Sequence, residues 1–233
     1  MLGSLAKSYA GSPVLAETSL RRDELKPQVA RLQPDIFPDN PIALEGLTAL
    51  YLHSEKAITL KVPQVGALLN WVNGGGHLIL SVEQTADVNA TPWLQELLPM
   101  DFKDMANTTI DRALQGWLVQ VDGTDPVKIS PVPQPQRIRQ NRQPKTPIVS
   151  AGNSANPFSS LAPDPAFNQA QSPVATGRPR PGARVAVEAE SRQLVIEAHR
   201  GRGKVTVLTF SPEREPFRSW KHRGAFWAKI TGM

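Results

Sequence analysis

The stretch from residue 47 to residue 82 most constrains the fold, because two short apolar runs flank one amphipathic segment. The runs "LTALYL" (47–52) and "HLILSV" (77–82) are each predicted to form a buried strand. Between them, "VPQVGALLNWVNGG" has a proline suited to a helix N-terminus, an apolar stripe with helical spacing, and glycines that end a helix. Strand, helix and strand in this order predict a βαβ unit with parallel strands and a right-handed crossover.

Other segments give further predictions of secondary structure. Residues 20–32 have helical spacing, although Pro27 strains the middle, and residues 91–99 read as a short amphipathic helix. The alternation in "LQGWLVQV" (114–121) predicts a strand. Towards the C-terminus, residues 185–198 predict a hairpin that turns at "ESR", residues 204–210 a third strand, and residues 217–230 a helix that docks through its aromatic side chains.

Residues 126–182 differ in composition from the rest of the chain. Twelve of the 22 prolines fall here. Between residues 126 and 184 there are eight basic residues, and Asp164 is the only acidic one. Because this tract has no periodicity and little to bury, it is predicted to be an extended or disordered insertion. Residues 1–125 and 183–233 are then expected to form one α/β domain, with two independent domains as the alternative.

Composition excludes several functions. The chain has no cysteine, which removes disulfides, thiolate nucleophiles and cysteine-ligated metals. The net charge of +5 belongs largely to the tract, where no aromatic residues interleave with the charges, so nucleic-acid binding is not expected. No 18-residue apolar run and no proper signal-peptide core occur, and the abrupt ends "MLGSL" and "AKITGM" favour a piece of a longer protein.

Two stretches far apart resemble one known family. "LLNWVNGGGHLILSVEQ" resembles the helix, glycine turn and strand before the nucleophile elbow of class I glutamine amidotransferase-like domains, and "GRGKVTVLTFSPERE" resembles the strand with their distal Gln-Phe-His-Pro-Glu motif. The resemblance covers about residues 42–100 and 200–230. It implies an α/β three-layer sandwich with a mainly parallel, flavodoxin-like sheet, to which the hairpin near the C-terminus and the Pro-rich insertion are added.

The chain departs from that family at the residues that carry its chemistry. The family uses a cysteine nucleophile, a histidine base and an acidic orienter, each dependent on the next. Here Leu80, Ser81 or Val82 stands at the elbow, Ser211 stands at the histidine position, and only Glu213 survives. The resemblance therefore implies a pseudoenzyme that binds or scaffolds, within a larger protein that is extracytoplasmic or membrane-associated.

Polar residues at the predicted strand ends form a candidate ligand crevice. Its members are His53, Ser54, Glu55, Ser81, Glu83, Ser211 and Glu213. The partner it implies is an unidentified protein or small ligand. No metal site is expected, because the four histidines are scattered without ligand spacing, and no cofactor is expected either.

Two other functions stay open. One is a hydrolase in which Ser81 acts with His53 or Glu83, although the G-x-S-x-G spacing of a serine elbow is absent. The other is binding of an anionic polymer through the basic tract.

Overall fold

The computed structural model describes residues 1–15, 28–120 and 156–232. Nine strands occur in these ranges: β1 (Leu2–Leu5), β2 (Val29–Arg31), β3 (Ala49–His53), β4 (His77–Ser81), β5 (Met100–Thr109), β6 (Gln171–Pro179), β7 (Arg184–Ala189), β8 (Arg192–Arg200) and β9 (Gly203–Leu208). The α-helices in the same ranges are α1 (Ser54–Ile58), α2 (Val62–Gly74), α3 (Thr85–Asn89), α4 (Pro92–Leu97), α5 (Asp111–Val119) and α6 (Arg223–Thr231).

Seven strands form one mostly parallel sheet, in the order β2-β1-β3-β4-β9-β8-β7. The first five are parallel, while β8 and β7 continue the sheet in antiparallel fashion. Strands β5 and β6 form a separate antiparallel pair. The chain is therefore a mixed α/β protein in which the carboxyl ends of β1, β3, β4 and β9 meet at one edge of the main sheet.

An apolar core lies on each face of the main sheet. Alternate residues of a strand point to opposite faces, so Tyr51 and Ile79 belong to one core and Leu50 and Leu78 to the other. Helices α5 and α6 contribute to the first core and α2 to the second. Apolar residues on both faces explain why the parallel strands read as continuous apolar runs in the sequence.

The predicted βαβ unit is confirmed as β3, α2 and β4, with β3 and β4 parallel. Gly75 ends α2 with φ 133°, a conformation that favours glycine. The predicted hairpin is also confirmed as β7 and β8. Its two turn residues, Glu190 and Ser191, have φ of 50° and 60°, as a type I′ turn requires.

Two predicted elements are wrong. Residues 114–121 were expected to form a strand, but helix α5 covers Asp111–Val119, because Leu114 and Leu118 are one helical turn apart and both are buried. In the predicted helix at 20–32, residues 20–27 lie outside the described residues, and Val29–Arg31 form strand β2. Strands β1 and β5 were not predicted.

The prediction of an extended or disordered tract at 126–182 is wrong for its second part. Residues 126–155 lie outside the described residues, whereas Phe158 and Phe167 are buried in the first core and Gln171–Pro179 form β6. Prolines are tolerated in β6 because its second edge is paired only locally, at the bridge between Val174 and Phe210 and the hydrogen bond from Ala175 to Thr209.

Candidate functional site

Charged and polar side chains gather at the carboxyl ends of the parallel strands. We call this group the strand-end cluster, and its members are Lys7, Tyr51, His53, Glu55, Ser81, Glu83, Glu213 and Arg214. The cluster forms because β1, β3, β4 and β9 run parallel and end at the same edge of the sheet. Open α/β sheets commonly bind ligands at this edge.

Glu213 fixes the loop that follows β1. Its carboxylate accepts hydrogen bonds from the backbone N–H groups of Lys7 and Ser8, at 2.8 and 3.1 Å, and from the Tyr51 hydroxyl at 3.0 Å. Gly11 lies so close that a Cβ there would be 1.8 Å from Glu213 Oε2. The Glu213 carboxylate is thus already occupied by two backbone N–H groups and by the Tyr51 hydroxyl.

Glu83 is a buried carboxylate with two cationic partners. Lys7 Nζ lies 3.2 Å from Glu83 Oε2, and the Arg214 guanidinium forms an ion pair with Oε1. Burial pushes the pKa of Glu83 upwards, but Lys7, His53 and Arg214 outweigh it and hold the pKa below the ordinary value of 4.5. Glu83 is therefore ionised and neutralised by its neighbours at neutral pH.

Lys7 joins Glu83 to the more exposed Glu55. Its ammonium lies 2.7 Å from Glu55 Oε2. The hydrogen bond to Glu55 raises the pKa of Lys7, and the same bond lowers the pKa of Glu55. Both groups stay charged over the physiological range, so the ammonium remains between the two carboxylates.

His53 is fully buried and held in one tautomer. Its Nδ1 accepts a hydrogen bond from the backbone N–H of Glu55 at 3.2 Å, which puts the ring proton of the neutral form on Nε2. Nε2 lies 2.8 Å from Glu83 Oε2, but the contact lacks the alignment of a hydrogen bond. Burial lowers the pKa of His53 below 6.5 despite the nearby carboxylates, which act to raise it.

Ser81 is buried against a tyrosine rather than a base. Its Oγ lies 2.9 Å from the Tyr51 hydroxyl. Because Tyr51 donates its proton to Glu213, the Ser81 hydroxyl donates to Tyr51. Burial raises the pKa of Tyr51 well above 10, so this partner is a neutral phenol that does not accept the proton of a nucleophile at neutral pH. Among the described residues, no histidine or carboxylate forms a hydrogen bond with the Ser81 hydroxyl.

The remaining predicted crevice residues differ in their contacts. Ser54 Oγ donates to Asp87 at 2.6 Å and accepts from the backbone N–H of Glu83 at 3.3 Å, so it ties the turns after β3 and β4 together. Ser211 Oγ is buried and has no hydrogen-bond partner within the described ranges. The structure thus links six of the seven predicted crevice residues and leaves Ser211 outside their network.

Three ligand-type atoms converge where no metal site was expected. The atoms of His53, Glu55 and Glu83 lie within 4.8 Å of one another, a proximity that spacing along the chain did not indicate. However, His53 Nδ1 faces a backbone N–H, whereas a histidine that binds a metal through Nε2 needs an acceptor beside a protonated Nδ1. The Lys7 ammonium also contacts both carboxylates. These contacts disfavour a metal at this place.

Lys7, Tyr51 and Arg214 belong to the cluster but were not predicted from the sequence. A signal was present for each one. Lys7 follows the first apolar run, Tyr51 lies two residues before His53 and therefore on the same face of β3, and Arg214 is the neighbour of Glu213. What was lacking was the recognition of Leu2–Leu5 as a strand of the parallel sheet.

Comparisons with known proteins find the fold but no family. No family model matches the chain, and no curated protein matches it. The chain is similar in structure to the cytoplasmic protein STM1381 from Salmonella typhimurium LT2, with 14% identity and a TM-score of 0.54 over 88% of this chain and 80% of that one. It is also similar to the cytoplasmic protein STM3548 from Salmonella typhimurium, with 13% identity and a TM-score of 0.52 over the same shares. At these identities the likeness shows the fold alone.

Proposed function

We propose that this chain is a non-enzymatic binding or scaffolding domain, a degenerate relative of the glutamine amidotransferase-like class. The observation that carries the proposal is the Ser81 hydroxyl, which is buried and donates to the neutral phenol of Tyr51. A nucleophile needs a base within hydrogen-bond reach, and the described residues offer none. The five parallel strands with an apolar core on each face support the flavodoxin-like, three-layer arrangement of that class.

The pairing of charges supports a structural use of the strand-end cluster. Glu213 binds the backbone after β1, and Lys7 and Arg214 neutralise Glu83. A reacting substrate would have to replace several of these contacts at once. We infer that the cluster closes the carboxyl edge of the sheet and that partners bind elsewhere on the domain.

The wider setting of the domain is also a proposal. The resemblance to glutamine amidotransferase-like domains suggests a part of a larger, envelope-associated bacterial protein. In the described residues, no helix has both the length and the apolar character needed to cross a bilayer.

The hydrolase alternative provides the sharpest test of this function. We would assay the purified chain and Ser81→Ala against esters, amides and phosphoesters of broad leaving-group type, with circular dichroism as the control for folding. The expected result is that wild type and variant do not differ on any substrate. Turnover by the wild type that Ser81→Ala abolishes, with unchanged circular dichroism, would overturn the proposal.

Anionic-polymer binding by the basic tract has its own measurement. Most of the charges of that tract lie outside the described residues, so we would measure binding of heparin and of single-stranded DNA as a function of salt. Affinity that falls steeply with salt and is lost on deletion of residues 126–155 would favour this alternative.

A further inference from the structure

A groove of about 460 Å³ lies between helix α5 and the segment that leads back into the sheet at β6. We call it the α5 groove. Its lining is mostly apolar and includes Leu118, Val119, Leu161 and Pro163. A volume of this size is within the range of specific ligand sites.

The exposed charges around the α5 groove are basic, whereas the adjacent Asp111 and Asp164 are buried and accept backbone hydrogen bonds. Arg112 lines the groove, is exposed, and makes no hydrogen bond or ion pair with another residue of the described chain. No acidic side chain is among the lining residues, whereas His222 is, and its neighbours Lys221 and Arg223 are basic. The groove therefore offers an unpaired guanidinium beside an apolar surface.

Gly116 keeps the middle of the groove open. It lies inside α5, four residues after Arg112 and hence on the same face of the helix. A Cβ added there would meet nothing within 4 Å, so packing does not require a glycine. The missing side chain at Gly116 leaves this part of the groove open.

The walls of the groove are held in place. Asn156 Nδ2 donates to the carbonyls of Leu118 and Gln120, and Lys229 Nζ donates to the carbonyl of Gln120 at 2.6 Å, so the last turn of α5 is capped from two directions. The buried Asp164 accepts a hydrogen bond from the backbone N–H of Lys221, which joins the opposite wall to the segment before α6. The groove is therefore formed before any ligand arrives, and little ordering is needed on binding.

We propose that the α5 groove is the docking site for a short acidic peptide segment of a partner protein, with apolar side chains between the acidic ones. This proposal rests on the binding function above and assigns it a place and a partner chemistry. Arg112 would take a carboxylate of the segment in a bidentate pair, and the apolar side chains would occupy the floor over Gly116. Charge complementarity selects an acidic occupant over a basic one.

The test uses the full chain and a defined probe. A fluorescein-labelled peptide of ten residues, alternating Glu-Leu and Asp-Val pairs, would be titrated with protein and followed by fluorescence anisotropy. Two control peptides would carry Gln and Asn, or Lys, in place of the acidic residues. The expected result is saturable binding of the acidic peptide, weakened about tenfold for the amide peptide and absent for the lysine peptide.

Variants locate the binding on the protein. Gly116→Leu should abolish binding because its side chain fills the groove, and Arg112→Gln should weaken it about tenfold. The matched controls are Gly66→Leu, at another helical glycine whose Cβ would meet nothing within 4 Å, and Arg178→Gln, at an exposed arginine on β6. Both controls should bind like wild type.

Several outcomes would overturn the proposal. These are the absence of saturable binding, equal binding of the acidic and amide peptides, or equal loss in Gly116→Leu and Gly66→Leu. Binding of single-stranded DNA that Gly116→Leu removes would assign the groove to nucleic acid. Sedimentation that shows self-association lost in Gly116→Leu, without peptide binding, would assign it to a second copy. None of these outcomes requires Ser81-dependent turnover, so failure here is distinguishable from failure of the proposed function.

Discussion

The strand-end cluster and the α5 groove differ in whether their charged side chains have partners within the chain. In the cluster, Glu83 is 4% exposed and has both a lysine and an arginine as partners. In the groove, Arg112 has no partner within the described chain and lies next to an apolar surface. At the carboxyl edge of the sheet, where α/β folds commonly bind ligands, the buried carboxylates already have partners within the chain. In the α5 groove, the guanidinium of Arg112 does not.

This difference shows where in the fold a ligand would find side chains that are free to bind it. Removal of one partner from a buried, paired charge destabilises a fold, and the hydrogen-bonding capacity of such a charge is not available to a ligand. An unpaired charge at the rim of a preformed apolar groove retains that capacity. Substitutions in the cluster should therefore change stability, and substitutions in the groove should change binding.

The largest effect is expected at Glu213. Glu213→Gln keeps the shape but replaces a charged acceptor of three hydrogen bonds with an amide, whose NH₂ group must face one of the donors. We expect the free energy of unfolding to fall by about 3 kcal/mol in urea denaturation. Glu188→Gln, at an exposed position of β7, serves as the control and should not change it. If Glu213→Gln also left the free energy of unfolding unchanged, the proposal that the cluster stabilises the fold would be wrong.

A second measurement contrasts the cluster with the opposite end of β4. His77 is there, without a carboxylate beside it, and burial together with Lys204 lowers its pKa to about 3. Below pH 6.5 the unfolded chain binds a proton that folded His77 does not, so stability falls as pH falls from 6.5 towards 3. The loss is about 1.4 kcal/mol per pH unit, or about 2 kcal/mol at pH 5.

His77→Gln isolates this contribution. Glutamine retains a donor for the Thr206 hydroxyl, which contacts His77 Nε2 at 2.8 Å, but it does not titrate. Urea denaturation at pH 7 and pH 5 should show a smaller decline for the variant than for the wild type. Parallel declines in the two proteins would mean that His77 titrates normally in the folded state.

A smaller effect is expected at Lys7. Lys7→Met removes the ammonium between Glu55 and Glu83 but leaves Arg214 on Glu83. Because Lys7 is 39% exposed, solvent screens much of its interaction, and we expect a loss of about 1 kcal/mol. Arg112→Met is the matched change in the groove and should leave stability unaltered. If urea denaturation showed the same loss of unfolding free energy for Lys7→Met and Arg112→Met, the two regions would not differ in their contribution to stability.

The sequence predicted the parts of the fold whose signal is local. Val62–Gly74 and the two strands around it combine periodicity, a helix-starting proline and a glycine stop within one continuous stretch. Strand β5 could not be found in this way, because its partner β6 lies beyond α5 and residues 121–155, and β6 contains Pro173 and Gly177, which argue against a strand.

The candidate site shows the same limit. Residues next to predicted strands, such as His53 and Glu83, were located because parallel strands end at one edge. The hydrogen-bond partner of Ser81 was not predictable. Nothing near Ser81 in the sequence indicates that this partner is Tyr51 rather than His53. The choice depends on Glu213, far away in the chain, which orients the Tyr51 hydroxyl.

The capped end of α5 has a practical consequence. Asn156 holds the carbonyl of Gln120 at 2.8 Å, so the backbone leaves the described fold and re-enters it at a single fixed point. Residues 120 and 156 therefore lie close together in the fold. For protein engineering, the segment between residues 120 and 156 is a site for domain insertion. A fluorescent or affinity module whose own termini are close together could be inserted there.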